Sequence, residues 1–487
     1  MKLKKKYSFW VILMMAISAT VGSSVLISFG QVAFQSGFNP ILMICAWILG
    51  GILILPEMLL LAETAISFPG NGSAYYWLKK ANWMACSFWL GWILVLMVSA
   101  TAVASATLAL GNIIGTLAHI TNQWLIKLFG ILILFALAIV QIFIKNSSGK
   151  TQIIFTILKG LPITFVLFIA MIYGNTDSFN SEIVQKDLSK IFLATYVLLP
   201  ATTMTLFAYS GIEAITYVTE EVENPRKNVL WALIVATGLI IFLYLILLIA
   251  LLTINEPLSW LDKNDGFSNV WYYAIINNPN IPHVLAYIFL GLAILLFVGS
   301  LNAFLLYQSR LIFKMSEEKD LFKFFQKTTK RTNMPWAAML LLIFAALIYI
   351  LWNQLYEVTN YFIIAISFLK LIVNSVIIFL RRKHPDYQKI FNNFWFYFFI
   401  IIGYLGAIIA IVGSFLAMYY YGTQNNNMWA LWNSLILIAV MLAGYLVYYI
   451  KNYVVKIVNN FKNQKKIINH KKIILYLIYF LVLIKNF

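Results

Sequence analysis

The sequence predicts an all-α polytopic membrane protein with twelve transmembrane helices. Three observations support this fold class. Of the 487 residues, 62% are hydrophobic and only 11% are charged, whereas soluble domains carry about 25% charged residues. Apolar runs close to the ~20 residues that cross a bilayer recur along the whole chain. Lysines and arginines cluster in the segments between alternate runs, which the positive-inside rule expects of cytoplasmic loops.

The apolar runs define the boundaries of the predicted spans. They lie at residues 8–30, 41–66, 84–111, 123–144, 152–173, 192–218, 229–254, 284–313, 335–352, 357–380, 394–420 and 428–450. With this count, the positive charges fall on one side if the N-terminus is cytoplasmic, and the opposite segment 31–40 carries none. We therefore predict a multi-pass protein of the cell membrane with both termini in the cytoplasm.

Two segments outside these spans have their own expected structure. Residues 255–283 contain Trp260 and Trp271, which is typical of a short interfacial helix in an aromatic belt. Residues 473–484 are apolar but too few to cross the bilayer, so we expect them to lie at the interface.

The first and sixth spans are interrupted by residues that an apolar helix disfavours. The first contains Gly22, Ser23 and Ser24, and the sixth contains Ser210, Gly211 and Glu213. Small residues also serve close helix packing. However, paired glycine interruptions in corresponding positions of two halves indicate a transporter binding site. Free N–H groups at a half-helix start favour an anion, and carbonyls at a half-helix end favour an ammonium. Together the interruptions predict a site for a zwitterion.

Several ordered motifs resemble those of the amino acid–polyamine–organocation permeases over roughly residues 8–390. Residues 21–26 are similar to the family's Gly-Ser-Gly turn, and residues 68–76 to its Pro-x-x-Gly-Gly-x-Tyr loop. Further similar segments are 207–213, 220–227, 302–325 and 380–386.

The resemblance implies a leucine-transporter-like fold with discontinuous helices 1 and 6. Its transporter core would be residues 1–390, with two inverted five-helix repeats at about 8–173 and 192–380. Residues 391–452 would add two transmembrane helices, and residues 453–487 would form a basic cytoplasmic tail containing the apolar interfacial segment.

The resemblance also implies which residues meet the substrate. Its carboxylate would meet Gly22, Ser23 and Ser24, although Ser24 stands where the family usually has glycine. The amino group would meet backbone near Ala208, and Phe207 would be an aromatic gate. The predicted substrate-binding residues are Gly22, Ser23, Ser24, Phe207, Ala208, Tyr209, Ser210 and Gly211.

Several ionisable residues lie within or near the predicted spans, among them Lys159, Glu213, Glu57 and Lys370. Lys159 either snorkels to the inner interface or, as the resemblance implies and we favour, replaces a sodium ion and couples transport to protons, since a desolvated ammonium loses its proton readily. Glu213 is either a proton-coupling group beside the substrate or a structural carboxylate, and both interpretations stay open. Glu57 and Lys370 have opposite charges in spans two and ten, but the sequence does not show whether they pair.

Glu63 lies close to the predicted cytoplasmic end of span two. We expect it in a solvated face or in an inner-gate network of ion pairs.

These observations predict a secondary active transporter of amino acids that works by alternating access. Proton-coupled uptake is the main hypothesis, an exchanger is the alternative, and a non-transporting sensor is a third. No catalytic residue, cofactor or metal site is expected, because zinc-ligand spacings, a nucleophile elbow and a phosphate-loop lysine are missing from the sequence.

The expected partners are an amino acid, protons rather than sodium, and membrane lipid. Nucleic acid is not expected despite the net charge of +18, because the basic residues lie between the apolar runs. The sequence does not indicate which amino acid is carried or the oligomeric state.

Overall fold

The structure is a computed structural model that describes residues 7–69, 73–143, 157–175, 191–260, 269–329, 332, 334–424 and 428–464. Within these ranges the regular structure is helical, apart from an isolated parallel bridge between Tyr7 and Val222. The all-helical prediction is therefore confirmed for the described part of the chain. The predicted interfacial segment 473–484 and residues 70–72 of the glycine-rich loop lie outside it.

The helices are numbered here in chain order. The first half contains α1 Phe9–Thr20, α2 Ser23–Gln35, α3 Pro40–Ser67, α4 Ala74–Lys80, α5 Met84–Leu117, α6 Gln123–Phe143, α7 Gly160–Tyr173 and α8 Ile191–Tyr209. A 3-10 segment, Ile212–Glu221, follows α8, and a π-helical stretch, Leu94–Ser99, lies within α5. The second half contains α9 Pro225–Ile254, α10 Val270–Ile276, α11 His283–Glu317, α12 Trp336–Trp352, α13 Leu355–Lys383, α14 Asn393–Gln424 and α15 Trp429–Gln464.

The long helices have the length and composition of membrane spans. In the described ranges, eight helices are long and apolar enough to cross a bilayer, and α1 with α2, bent by 47° at their break, makes a ninth. The apolar helices α7 and α12 are shorter, at 14 and 17 residues. The prediction of a multi-pass membrane protein is confirmed, while the count of twelve spans stays a prediction.

Local sequence explains where helices begin and how closely they pack. Helix α3 begins at Pro40 because Asn39 caps it, accepting the N–H groups of Ile41 and Leu42 at 3.0 and 3.2 Å. Helix α8 packs against α2, α3 and α14. The approach to α3 is close at Gly50, where an added Cβ would lie 2.0 Å from the hydroxyl of Thr205. Small residues allow such contacts between membrane helices.

The segment between α9 and α11 differs from our prediction. We expected an interfacial helix with its aromatic side chains in a lipid belt, but Trp271 of α10 is only 1% exposed. Its indole N–H donates to the carbonyl of Leu26 at 3.3 Å, and its ring centroid lies 4.6 Å from that of Phe29. Trp260 is buried as well. These aromatic residues pack within the protein, because each indole N–H finds a backbone carbonyl there.

Of the two environments predicted for Glu63, the structure shows an ion pair and not a solvated face. Its carboxylate is buried and forms an ion pair with Arg381 of α13. It also accepts the backbone N–H groups of Ile390 and Phe391 at 2.9 and 2.8 Å. Glu63 is therefore not on a solvated face, and its contacts fasten α3 to α13 and to the segment that precedes α14.

Arg381→Met should strongly destabilise the protein, because it leaves the buried Glu63 without its cation. Breaking a buried pair from one side costs about 3–5 kcal/mol. The measurement is thermal unfolding of the purified protein in detergent. Lys314→Met is the control, since the Lys314–Glu317 pair is 52% and 46% exposed and such pairs contribute about 0–1 kcal/mol. Equal shifts in the two variants would contradict the structural role of Arg381.

Candidate functional site

The first helix break lies at Val21 and Gly22, between α1 and α2. The first N–H groups of α2 have no partner within the helix. One of them, from Ser23, donates to the hydroxyl of Ser300 in α11 at 3.2 Å. A Cβ added to Gly22 would lie 3.2 Å from the Ser300 hydroxyl and 3.9 Å from Nζ of Lys159. Space at this break is therefore narrow.

The second break follows Tyr209, where α8 ends. Gly211 has a φ of +115°, and an added Cβ would lie 2.8 Å from the carbonyl oxygen of Ala19. This position needs glycine, because it is left-handed and touches the backbone at the end of α1. The N–H of Gly211 donates to the carboxylate of Glu213 at 2.8 Å. That bond is one expected of a structural carboxylate, and it leaves the proton-coupling interpretation untested.

Tyr244 of α9 joins the two breaks. Its hydroxyl lies 3.1 Å from the carbonyl oxygen of Ala208 and 3.4 Å from that of Thr20. A tyrosine hydroxyl has one hydrogen to donate, so the two carbonyl groups share it. Tyr244 was not among the predicted site residues. The available signal was a hydroxyl in the middle of an apolar run, since a buried tyrosine usually finds a hydrogen-bond partner.

The predicted residues of the second break take distinct roles. Ser210 donates its hydroxyl to the carbonyl of Phe207 at 2.7 Å. The hydroxyl of Tyr209 donates to the carbonyl of Trp47 at 3.0 Å, so this side chain is directed into the contact with α3. Both predicted groups, 22–24 and 207–211, lie at the two breaks, and Gly211 packs directly on the end of α1.

The Phe207 side chain lies against α13 near its N-terminal end. Its ring packs edge-to-face on Phe362 with a centroid distance of 5.0 Å. Further along the same contact, Thr359 donates to Gln31 at 2.9 Å, and Gln35 is hydrogen-bonded to Tyr356. These contacts close α2 against α13. The predicted gate residue is thus part of a larger closure that sequence reasoning did not find.

The opposite side of the breaks is closed by backbone. Tyr7 donates its N–H to the carbonyl of Glu221 at 3.0 Å and accepts the N–H of Glu223 at 3.0 Å. These bonds attach the chain just before α1 to the end of the 3-10 segment. The hydroxyls of Ser73 and Thr216 also meet, at 2.8 Å.

A charged cluster lies beyond this closure. Asp320 is hydrogen-bonded to Tyr75 and forms an ion pair with Lys451 at 3.2 Å. The hydrogen bond from Lys79 lowers the pKa of Glu318, and burial, followed by the charge of Asp320, raises the pKa of Tyr75. The cluster holds α4, the segment after α11 and α15 together.

Lys159 lies immediately before α7 and is 6% exposed. Its Nζ would lie 3.9 Å from a Cβ added to Gly22, so the ammonium is next to the first break. Within the described ranges, this ammonium forms no ion pair or hydrogen bond. This position does not match a side chain that snorkels to the interface. Its role in proton coupling stays a prediction.

Glu57 and Lys370 form an ion pair, which the sequence left undecided. The distance between Nζ of Lys370 and Oε2 of Glu57 is 2.7 Å. Both residues line a cavity that also contacts Ser210 and Glu213. The pair therefore lies beside the second break.

Comparisons with known proteins show what this chain is similar to. A family profile described as amino acid permease matches residues 7–442. The serine/threonine exchanger SteT of Bacillus subtilis is 26% identical over 423 residues, which are 85% of this chain and 91% of that protein. The Asc-type amino acid transporter 1 of Mus musculus is 24% identical over 77% of this chain and 70% of its own length. The cystine/glutamate transporter of Homo sapiens is 24% identical over 80% and 77%.

Among solved structures, a manganese transporter of Eremococcus coleocola has a similar fold. That structure contains an aromatic bis-isothiourea substituted compound. The TM-score is 0.54 at 16% sequence identity, and the match covers 92% of this chain and 96% of that chain. At this identity the similarity concerns the fold alone.

Gly211→Ala should destabilise the second break, because it adds a Cβ at a left-handed position against the backbone of Ala19. Such strain costs about 1–3 kcal/mol. Gly238→Ala in α9 is the matched control, since no atom lies within 4 Å of its added Cβ, and alanine favours helices over glycine by about 1 kcal/mol. Thermal unfolding in detergent should show a lower midpoint for the first variant only. A midpoint for Gly211→Ala at or above that of the unmutated protein would contradict the assigned strain.

Proposed function

This chain belongs to the amino acid permease family, and we propose that it is a secondary transporter that moves amino acids across the cell membrane by alternating access. The observation that carries the proposal is the meeting of two broken helices at Gly211 and Ala19. Broken helices that face each other offer both N–H and carbonyl groups to a ligand. The names of the relatives support amino acids as the substrate class.

The substrate's two charged ends have separate places at the breaks. The carboxylate binds the first N–H groups of α2, at Gly22, Ser23 and Ser24, where the helix dipole favours an anion. The ammonium binds carbonyl groups where α8 ends, between Phe207 and Gly211. Phe207 covers the substrate on the side of α2 and α13.

The proposed architecture has twelve spans in a leucine-transporter-like arrangement of two inverted repeats. The nine spans of the described ranges, together with α7, α8 and α12, supply that number. Both termini lie in the cytoplasm, where the positive-inside rule puts the basic segments.

Lys159 is the proposed proton-coupling group. Its buried ammonium beside Gly22 changes the charge next to the substrate carboxylate when it loses its proton. Exchange is the second candidate mode, because the relative from Bacillus subtilis is named a serine/threonine exchanger. In that mode, the return step requires a bound amino acid rather than a proton.

Transport in proteoliposomes distinguishes these modes. The panel is labelled L-serine, L-threonine, L-cystine and L-glutamate, measured with an imposed pH gradient and with or without unlabelled amino acid inside. Uptake driven by the gradient alone supports symport, and a strict need for internal amino acid supports exchange. Binding without transport would support a sensor and contradict the proposed function.

Lys159→Ala should abolish accumulation driven by the pH gradient, because the coupling cation is lost. Lys159→Arg, which keeps a positive charge but does not titrate in this range, is the control for charge alone. Both variants are compared with the unmutated protein in the assay above. Full accumulation by Lys159→Ala would exclude the coupling role.

A further inference from the structure

A cavity with a mostly apolar lining lies beside the second break, next to the proposed substrate site, with which it shares Ser210. It has a volume of about 80 Å³, which is room for several water molecules. It lies between α3, α5, α13 and the region where α8 meets the 3-10 segment. Its polar lining includes Glu57, Ser73, Ser210, Glu213, Lys370 and Asn374.

The Glu57–Lys370 pair is in an unusual place for two charges. Both residues lie within helices that are long and apolar enough to span a membrane, and their side chains are 14% and 17% exposed. Charged groups inside a bilayer are costly, and they mark substrate or ion pathways. Since both residues line the cavity, it gives this pair a route to water and to a ligand.

We propose that this cavity is a second binding site for a zwitterionic amino acid. The inference rests on the proposed function. The ligand's ammonium binds the carboxylate of Glu57, and its carboxylate binds the ammonium of Lys370. When the ligand enters, the pair separates, and each side chain exchanges its partner for an opposite charge on the ligand. No charge is left unpaired, which is the condition for keeping buried ions in a protein.

Two neighbouring side chains complete the site. The hydroxyl of Ser210 donates to Phe207, so its oxygen still has lone pairs that accept from an ammonium. Asn374 is buried, packs against Gly403, and its amide nitrogen has no hydrogen-bond partner within the described part of the chain. This amide can turn toward a carboxylate without breaking an existing bond.

The position of the cavity suggests when it is occupied. It lies on the side of the break that faces Tyr75, between Ser210 and the closing contacts of Ser73 with Thr216. The positive-inside pattern assigns that side to the cytoplasm. An amino acid held here has left the central site, which is the proposed substrate site at the two helix breaks. It has not yet passed the contact of Ser73 with Thr216. The cavity is therefore a waiting site on the cytoplasmic path.

The test counts ligands per chain. The probe is labelled L-serine, or the panel member that the unmutated protein transports fastest if L-serine is not transported. Equilibrium dialysis with the purified full-length protein in detergent should give two bound molecules per chain. The double variant Glu57→Gln/Lys370→Met should give one, because it removes both charges without leaving one unpaired. Lys314→Met/Glu317→Gln removes the same two charges from an exposed pair and should still give two.

A kinetic readout separates binding from structure. In oriented proteoliposomes, the double variant should raise the KM measured from the cytoplasmic side by about tenfold or more, which is the effect of losing a charge-assisted hydrogen bond. The KM from the opposite side should stay within about twofold, because the central site is unchanged.

Each outcome bears on one proposal. One bound molecule per chain in a protein that transports the probe overturns the waiting site and leaves the proposed function intact. Two bound molecules in the double variant also overturn it. The absence of transport for the whole panel contradicts the proposed function itself. The count for the unmutated protein does not depend on how well any variant folds.

Discussion

Backbone that leaves a helix inside a membrane must find its hydrogen bonds within the protein, and the centre of this structure depends on that constraint. At the second break, Glu213 accepts the N–H of Gly211 and Tyr244 reaches the carbonyl of Ala208. At the first, Ser300 accepts the N–H of Ser23. These partners satisfy some of the freed groups and fix the breaks against each other. In the proposed function, the other N–H groups at the start of α2 bind the substrate carboxylate.

The positions of the breaks could be predicted from sequence, but their partners could not. Glycine and a carboxylate in an apolar run are locally unfavourable to a membrane helix. The breaks could therefore be predicted, without any knowledge of the fold, from Gly22, Gly211 and Glu213. Tyr244 and Phe362 belong to other helices, and their contacts depend on how each helix is rotated in the bundle. The same limit applies to Trp271, whose burial depends on the packing of α10 against α2 and not on the composition of its segment.

Two carboxylates of α3 show why the environment of a charge cannot be taken from the sequence. Glu63 is enclosed, and its pair with Arg381 is completed by two backbone N–H groups. Glu57, less than two turns earlier on the helix, pairs with Lys370 and lines a cavity. The first arrangement satisfies its charge fully and has no room for a ligand. The Glu57–Lys370 pair faces the cavity on one side. That difference separates a structural ion pair from a candidate binding pair.

The bridge at Tyr7 has a mechanical consequence. Because both of its hydrogen bonds use the backbone of Tyr7, opening that side either breaks them or swings α1 and the 3-10 segment together. In the second case α1 and the 3-10 segment move as one body, and the hydroxyl of Tyr244 lies at the end of that body nearest the two breaks. The side chain at position 7 matters little to this coupling, because both hydrogen bonds use backbone atoms. Proline would weaken the bridge, since it lacks the N–H that donates to Glu221 and would leave only the bond from Glu223.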